Sequence, residues 1–343
     1  MGPVQPQTSR TDRPRRGRRI ARWVTAGVLV ALVVVPLLWP VPELEDTVEP
    51  AELAGPDSRF VEIEGIDYHY VRSGEATCAV VFIHGAGAWT FSWEPVLDDI
   101  ALRCTTVAFD RPGFGLTERP LRGDWDGPNP YTPATQADHT IALLDALGIE
   151  KAVLVGHSAG GGIATLAAAR HPERIIGVVL EAPAIYVEGG PPGWVAALMR
   201  HVPSAERMGR LAMRTYLTEE RGERLVRGAW ADPDSVPAEV IDGYRVPLRA
   251  NDWDRALWEL VVAPRGESPA DVLPLLVDIP TLVVAGDADT YVSYEQSARV
   301  AEALGAPLET FEDTGHIPHE ERPERFASVL YRFLDDLEEA GVL

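Results

Sequence analysis

Apolar and polar residues alternate along most of this chain in blocks that predict strands and helices following one another. Short, almost fully apolar runs indicate buried strands, because a strand covered on both faces has no polar side. Longer stretches with apolar residues three or four positions apart lie between these runs and indicate helices that cover the sheet. The pattern therefore predicts a mainly parallel sheet with helices packed on both faces.

Eight segments carry a strand pattern. The first two, 59–64 and 67–72, alternate roughly around Gly65, which indicates an antiparallel hairpin at a sheet edge. The other six lie at 79–83, 105–109, 152–155, 175–180 and 280–285, which are mainly apolar, and near 308–311. Helical patterns between and after them lie at 93–102, 132–147, 159–170, 294–304 and 323–337.

The alternation stops between the sixth and the seventh strand. From about 185 to 274 the sequence shows helical patterns and many prolines, but no convincing strand. We therefore predict an α/β core formed by 59–184 and 275–343, with an eight-stranded sheet and a helical cap, 185–274, inserted after strand 6.

The amino-terminal part follows a different pattern. Residues 1–22 hold seven arginines and predict a disordered basic tail. Residues 23–42 carry no charge, and at ~1.5 Å per residue they reach ~30 Å, which predicts one transmembrane helix. Arginine before this segment and acidic residues after it predict a cytoplasmic amino terminus and an extracytoplasmic catalytic domain in the cell membrane. A cleaved secretory signal is the alternative, and 43–58 reads as a linker.

Charge and composition limit the kinds of partner that this chain is expected to bind. The formal net charge is −21, although the first 22 residues are basic, so the remaining surface is strongly acidic and argues against a nucleic-acid partner. No cluster of histidine, cysteine and acidic residues has ligand spacing, so we predict neither a metal nor another cofactor. A small-molecule substrate is the expected partner, and the oligomeric state is left open.

The segment from Gly156 to Gly160, Gly-His-Ser-Ala-Gly, carries the candidate nucleophile. It matches the G-x-S-x-G pattern, in which a strained turn from strand to helix lifts a serine above the sheet edge. Ser158 is therefore the predicted nucleophile. The helix that follows points free backbone N–H groups, including that of Ala159, toward a developing negative charge.

An activated serine needs a base and an orienting acid at the same edge of the sheet. The loop after the seventh strand supplies Asp287 and Asp289, and the loop after the eighth supplies His316. The order Ser, Asp, His along the chain is the one expected after such an elbow.

Together these motifs resemble the α/β-hydrolase superfamily over essentially all of 59–343. The residues that carry the resemblance are His84-Gly85-Ala86-Gly87, Asp110-Arg111-Pro112-Gly113-Phe114-Gly115, and Gly315-His316 followed by Glu321-Arg322-Pro323. The resemblance implies Ser158 as nucleophile, His316 as general base and Asp289 as orienting acid. It also implies an oxyanion hole made by the N–H groups of Ala86 and Ala159.

Other residues compete for these roles. Asp287 is an alternative acid, and so is Glu181, which follows the sixth strand at a position that some relatives use. His319 is expected to cap a helix or to face solvent. His84 and His157 are expected to orient the backbone of their loops.

These assignments predict a serine hydrolase that cleaves carboxylic esters of small to medium apolar substrates through an acyl-enzyme. Carbon–carbon bond hydrolases and amidases can share the triad, and a ligand-binding or signalling protein on the same scaffold is the alternative of another class. Trp89, Trp194 and Met199 are candidates for lining the substrate pocket, although packing of the cap onto the sheet is the favoured explanation for the cap residues among them.

Cys78 and Cys104 each lie six residues before the loop residue that ends their strand. The resemblance makes these two strands neighbours, so the two side chains are expected side by side at the far end of the sheet. A disulfide and two buried thiols remain open at this point.

Overall fold

The structure is a computed structural model and describes residues 2, 14–38, 41–187, 191–217 and 219–343. Most of the predicted basic tail, 1–22, lies outside the described residues, and 14–22 form the start of a helix. The predicted limits of the linker, core and cap are untested and stay predictions.

Eight strands form one sheet in the described part of the chain. They are β1 (Arg59–Ile63), β2 (Ile66–Ser73), β3 (Ala79–Ile83), β4 (Thr105–Phe109), β5 (Ala152–His157), β6 (Ile175–Glu181), β7 (Thr281–Gly286) and β8 (Leu308–Phe311). Their order across the sheet is β1-β2-β4-β3-β5-β6-β7-β8. The pairs β1/β2 and β2/β4 are antiparallel and the others are parallel, which confirms the predicted eight-stranded, mainly parallel sheet.

Thirteen α-helices occur within the same described ranges. They are α1 (Pro14–Leu38), α2 (Glu94–Ala101), α3 (Pro133–Ala146), α4 (Ala159–Arg170), α5 (Gly193–Arg200), α6 (Pro203–Leu217), α7 (Glu219–Gly228), α8 (Ala238–Arg245), α9 (Trp253–Val262), α10 (Pro269–Val272), α11 (Tyr294–Leu304), α12 (Pro318–Glu321) and α13 (Pro323–Glu339). Helix α3 begins as its sequence predicts, because the Thr132 side chain accepts a hydrogen bond from the N–H of Thr135.

The core has one layer on each face of the sheet, because successive side chains of a strand point to opposite faces. On β3, Val81 and Ile83 pack into one buried cluster, and Val80 and Phe82 pack into the other. Helices α3, α4 and α11 cover the first cluster, and α2 and α13 cover the second. Each fully buried aliphatic side chain contributes ~1.5–3 kcal/mol to this packing. The two layers fix the sheet and therefore the loops at its edge.

Helices α5 to α9 lie between β6 and β7, and the described residues between these two strands form no strand. The segment corresponds to the predicted helical cap. Helix α10 packs on α4, and Val272 belongs to the sheet core, so the chain has returned to the core by that point.

The predicted linker lies against the region before α9 instead of running free. Val48 donates its N–H to the carbonyl of Arg249 at 3.0 Å and accepts from the N–H of Asn251 at 2.8 Å. The Asn251 amide also donates to the Glu49 carboxylate at 2.9 Å. These contacts dock the segment through its backbone, which a reading of composition does not reveal.

The predicted transmembrane anchor at 23–42 is wrong. Among the described residues, no helix combines the length and the apolar character that a bilayer crossing requires. The arginines of 14–22 occupy the first turns of α1, and only the 16 residues from 23 to 38 are left uncharged in this helix. They reach ~24 Å, against ~30 Å of hydrocarbon. The predicted membrane localisation, which depended on this anchor, is wrong as well.

Cys78 and Cys104 form a disulfide in the structure, with their Cα atoms 4.9 Å apart. Each precedes the first residue of its strand, and Ala79 of β3 pairs with Thr105 of β4. The parallel register therefore brings the two cysteines together and decides between the two alternatives that the sequence left open.

Removing this disulfide lowers the stability of the protein. The cross-link joins positions 26 residues apart, so the unfolded chain regains loop entropy when both cysteines are replaced by serine. We expect the free energy of unfolding to fall by ~3.5 kcal/mol. Urea unfolding followed by circular dichroism measures the change. A reductant should shift the midpoint of the parent protein but not that of the double variant, and equal midpoints without reductant would contradict the expectation.

Candidate active site

Ser158 occupies a strained turn between β5 and α4. Its φ is 52° and its ψ is −118°, in a region that side-chain-bearing residues rarely adopt. Such a conformation costs ~1–3 kcal/mol and persists only where surrounding contacts fix it. A Cβ atom at Gly160 would lie 2.1 Å from the carbonyl oxygen of Ile83, so only glycine fits beside the turn. This is the geometry predicted from the elbow sequence.

Backbone hydrogen bonds hold the turn from both sides. The N–H of Ser158 donates to the carbonyl of Glu181 at 2.9 Å, which ties the turn to the end of β6. The carbonyl of Ser158 accepts from the N–H groups of Gly161 and Ala184, each at 3.0 Å. The serine is therefore positioned by its backbone, and its hydroxyl makes no hydrogen bond to any residue that the structure describes.

His316 and Asp289 are hydrogen bonded, with Nδ1 of the imidazole 2.7 Å from Oδ2 of the carboxylate. The other oxygen of Asp289 accepts from the N–H groups of Tyr291 at 2.8 Å and Val292 at 3.0 Å. Both side chains are buried, whereas Asp287 is exposed. The Nδ1–H that donates to Asp289 leaves Nε2 as the basic nitrogen.

The loop that contains His316 lies against the turn that contains Ser158. Nε2 of His157 donates to the carbonyl oxygen of His316 at 2.9 Å, and the two rings are 4.7 Å apart. Burial, together with the charges of His316 and His319, holds the pKa of His157 well below its usual value. His157 is therefore a neutral donor that holds the backbone of the His316 loop, in addition to the role in its own loop that the sequence predicted.

The loop that contains Ala86 is fixed from behind by His84. Nδ1 of His84 donates to the carbonyl of Gly85 at 2.7 Å, and Nε2 accepts from the N–H of Arg111 at 3.0 Å. Burial, with the charge of Arg111 beside it, lowers the pKa of His84 to about 3. The Arg111 guanidinium also donates to the Gly85 carbonyl, at 3.0 Å. The loop therefore has a set conformation at the carboxyl end of β3.

The two predicted oxyanion donors differ in setting. Ala159 is the first residue of α4, and N–H groups in a first helical turn have no partner inside the helix. Ala86 is exposed in its loop at the same edge of the sheet. Their role in holding an oxyanion stays a prediction.

Two further serines lie in Ser–His–acid arrays that the sequence did not reveal. Nε2 of His69 is 2.8 Å from Oγ of Ser58, and its Nδ1 is 2.7 Å from Asp110. A buried array joins three more side chains: Nε2 of His319 is 2.8 Å from Oγ of Ser92, and its Nδ1 is 2.7 Å from Glu181.

The second array corrects one prediction. His319 is fully buried, and it stacks on Trp93 with 3.9 Å between ring centroids, so the expectation that it caps a helix or faces solvent is wrong. Glu181, the alternative acid, holds His319 through two hydrogen bonds and is not bonded to His316. The partners are 138 residues apart in the chain, and no local pattern marks them.

The predicted pocket residues are placed differently from one another. Trp89 is half-buried and donates its indole N–H to the carbonyl of Gly243 on α8, 3.1 Å away. Met199 is half-buried on α5, and Trp194 of the same helix is 74% exposed. The roles of all three in substrate binding remain predictions. No group of His, Cys, Asp and Glu side chains in the described ranges has the arrangement of a metal site.

Known proteins resemble the chain over most of its length. The sequence model of the alpha/beta hydrolase family matches residues 80–329. A 2-hydroxymuconate semialdehyde hydrolase of Pseudomonas sp. strain CF600 is 30% identical over 77% of this chain and 89% of its own. A solved meta-cleavage product hydrolase of Pseudomonas fluorescens has 25% identity and a TM-score of 0.63, covering 81% of this chain and 97% of its own. A solved membrane phospholipase A has 25% identity and a TM-score of 0.65, covering 96% of this chain and 99% of its own.

Proposed function

Because this chain belongs to the alpha/beta hydrolase family, we propose that it is a serine hydrolase that cleaves carboxylic esters of small to medium apolar substrates. Ser158 is the nucleophile, His316 the general base and Asp289 the acid that orients the base. The hydrogen bond of 2.7 Å between His316 and Asp289, beside the strained turn of Ser158, carries the proposal.

The reaction has two steps. Nε2 of His316 accepts the proton of Ser158 while the serine oxygen attacks the acyl carbonyl, and the same proton then passes to the leaving alcohol. The N–H groups of Ala86 and Ala159 stabilise the oxyanion of each tetrahedral intermediate. Water, activated by His316, then releases the acid and restores the Ser158 hydroxyl.

A carbon–carbon bond hydrolase is the second candidate, because two of the relatives are named for such substrates. It requires the same nucleophile and base. Ester cleavage is favoured by the resemblance to a phospholipase A, whose name denotes an ester-cleaving enzyme. Substrate assays decide between the two candidates.

A fluorophosphonate probe tests the nucleophile directly. We expect stoichiometric labelling of the folded protein, and peptide mapping should place the label on Ser158 and on neither Ser58 nor Ser92. The Ser58→Ala variant is the matched control, because Ser58 also contacts a histidine that binds an acid, and it should label like the parent. Absence of any label, or a label confined to Ser58, would refute the proposed nucleophile.

A second assay compares bond types. One substrate is p-nitrophenyl butyrate, and the other is 2-hydroxy-6-oxo-6-phenylhexa-2,4-dienoate, for which a similar hydrolase of Comamonas testosteroni is named. Both are offered at equal concentrations. Ester cleavage predicts a kcat/KM for the butyrate at least about a hundredfold higher, a difference of ~2.7 kcal/mol in transition-state stabilisation. The reverse order would make the protein a carbon–carbon bond hydrolase with the same triad.

A further inference from the structure

The end of helix α7 in the cap meets both catalytic loops. Helix α7 ends at Gly228 and leads into Ala229-Trp230-Ala231, while the loops carry Asp289 and His316. The last four carbonyls of a helix have no partner inside it and need donors from elsewhere. The donors at this helix end show how the cap is joined to the site.

Each of these four carbonyls has a donor. The carbonyls of Val226 and Arg227 accept from the N–H groups of Ala229 and Trp230, at 3.1 and 3.2 Å. The other two donors come from the loop of the orienting acid. Tyr291 donates its hydroxyl to the Leu225 carbonyl at 2.8 Å, and Thr290 donates its hydroxyl to the Gly228 carbonyl at 3.1 Å.

The histidine loop makes the next contact. The N–H of His316 donates to the carbonyl of Ala229 at 2.6 Å. A Cβ atom at Gly315 would lie 2.4 Å from the same carbonyl oxygen and 2.7 Å from the nitrogen of Ala231, so the backbones touch. The base of the proposed mechanism is therefore held by the cap through its own main chain.

Glu321 bridges the same two segments with one carboxylate. Oε1 accepts from the N–H of Gly315 at 2.7 Å, and Oε2 accepts from the N–H of Ala231 at 3.0 Å. The first N–H belongs to the histidine loop and the second to the cap. Because each oxygen serves one segment, a neutral amide of the same shape cannot accept both bonds.

Tyr291 connects the acid, the base and the helix end. Its N–H fixes Asp289, its ring lies edge-on to the imidazole of His316 with 5.3 Å between centroids, and its hydroxyl is anchored on Leu225. The ring therefore limits the rotation of the imidazole, and the hydroxyl limits the movement of the ring.

We infer that Tyr291 and Glu321 are positioning residues, and that residues 225–231 of the cap together with these two side chains form a clamp that holds His316 and Asp289 in their reactive arrangement. The inference rests on the proposed function, since it concerns how the same triad is oriented. It assigns to the cap a part in the chemical step, in addition to covering the substrate.

The experiment removes one bond of the clamp at a time. Tyr291→Phe keeps the ring and loses the hydroxyl, and Glu321→Gln keeps the shape and loses one acceptor. Loss of one such bond is expected to lower kcat for p-nitrophenyl butyrate about tenfold with KM unchanged. The rate of fluorophosphonate labelling should fall by a similar factor, because labelling also needs the base in place.

Tyr244→Phe is the matched control. Tyr244, on α8, also joins the cap to the core, by donating its hydroxyl to Glu320 at 2.5 Å, but it contacts neither catalytic loop through that bond. This variant should keep kcat and labelling within about twofold of the parent. If Tyr291→Phe and Glu321→Gln fold and also stay within twofold, the clamp does not position the triad. Thr290→Val, at an exposed site, gives a milder test of the same prediction should either variant fail to fold.

Amide hydrogen exchange separates this inference from the proposed function. The His316 N–H is protected only while it is bonded to Ala229, whether or not the protein turns over an ester. We expect its exchange to be about tenfold faster in Glu321→Gln than in the parent. Unchanged kcat in both variants, or unchanged exchange in Glu321→Gln, refutes the clamp, whereas absence of labelling in the parent refutes the proposed nucleophile and leaves the exchange result standing.

Discussion

Ester hydrolysis by the Ser158→Ala variant is expected to be roughly 10⁴- to 10⁶-fold slower in kcat than hydrolysis by the parent protein. The alanine has no oxygen to form the acyl-enzyme, so the remaining rate comes from substrate binding and oxyanion stabilisation alone. Stability should not fall, since the serine hydroxyl makes no hydrogen bond within the described part of the chain. The backbone strain at this positive φ should also stay the same, because alanine keeps the Cβ atom that serine has.

Steady-state kinetics with p-nitrophenyl butyrate measure the loss, with thermal unfolding as the check that the variant is folded. His316→Ala should lose a similar factor, and the double variant should be no slower than either single variant, because nucleophile and base act as one unit. Ser58→Ala should match the parent. A Ser158→Ala protein that turned over the ester normally would leave the proposed mechanism without its first step.

Much of the core follows from local sequence. The runs at 79–83, 105–109 and 308–311 are strands with the predicted limits, and each is bounded by polar or glycine-rich segments. Helices α4 and α11 also have their predicted limits. In these segments the periodicity of the sequence and the final packing agree.

The contact between His316 and Asp289 could be predicted because both residues follow strands that end at one edge of the sheet. The buried array of Ser92, His319 and Glu181 could not, since it depends on how α12 packs against the short 3-10 helix Thr90–Trp93 before α2 and on its hydrogen bonds to the end of β6. The pattern of apolar positions along the chain does not mark a contact between a histidine and a serine. Long-range polar pairing of this kind becomes visible only in three dimensions.

In the amino-terminal segment, the local sequence pattern gave a wrong prediction. The uncharged run predicts a helix from 23, after the last arginine, to 42, whereas the helix begins at Pro14 and ends at Leu38. Helix α1 therefore contains both charged and apolar turns, and it packs on α6 of the cap. The sequence shows the length of the apolar run, but it does not show where the helix begins and ends.

The Asp289→Asn variant should lose about 10⁴-fold in kcat at neutral pH, the second large effect expected from this site. The carboxylate accepts the Nδ1–H of His316 and so keeps Nε2 free to take the serine proton. An asparagine can instead turn its NH₂ group toward the imidazole, which places the ring proton on Nε2 and removes the base. The size of the side chain is unchanged, so the loss reports the tautomer and not a cavity.

The two rival carboxylates provide the controls for this measurement. Asp287 is exposed, and Asp287→Asn should keep the parent kcat. Glu181 is fully buried and holds His319 with both oxygens, so Glu181→Gln should lower the free energy of unfolding, by ~1–3 kcal/mol for a buried bond left unmade. Its kcat should fall far less than that of Asp289→Asn. If instead Glu181→Gln lost about 10⁴-fold and Asp289→Asn kept its activity, the orienting acid would be Glu181, and His319 would have to replace His316 as the base.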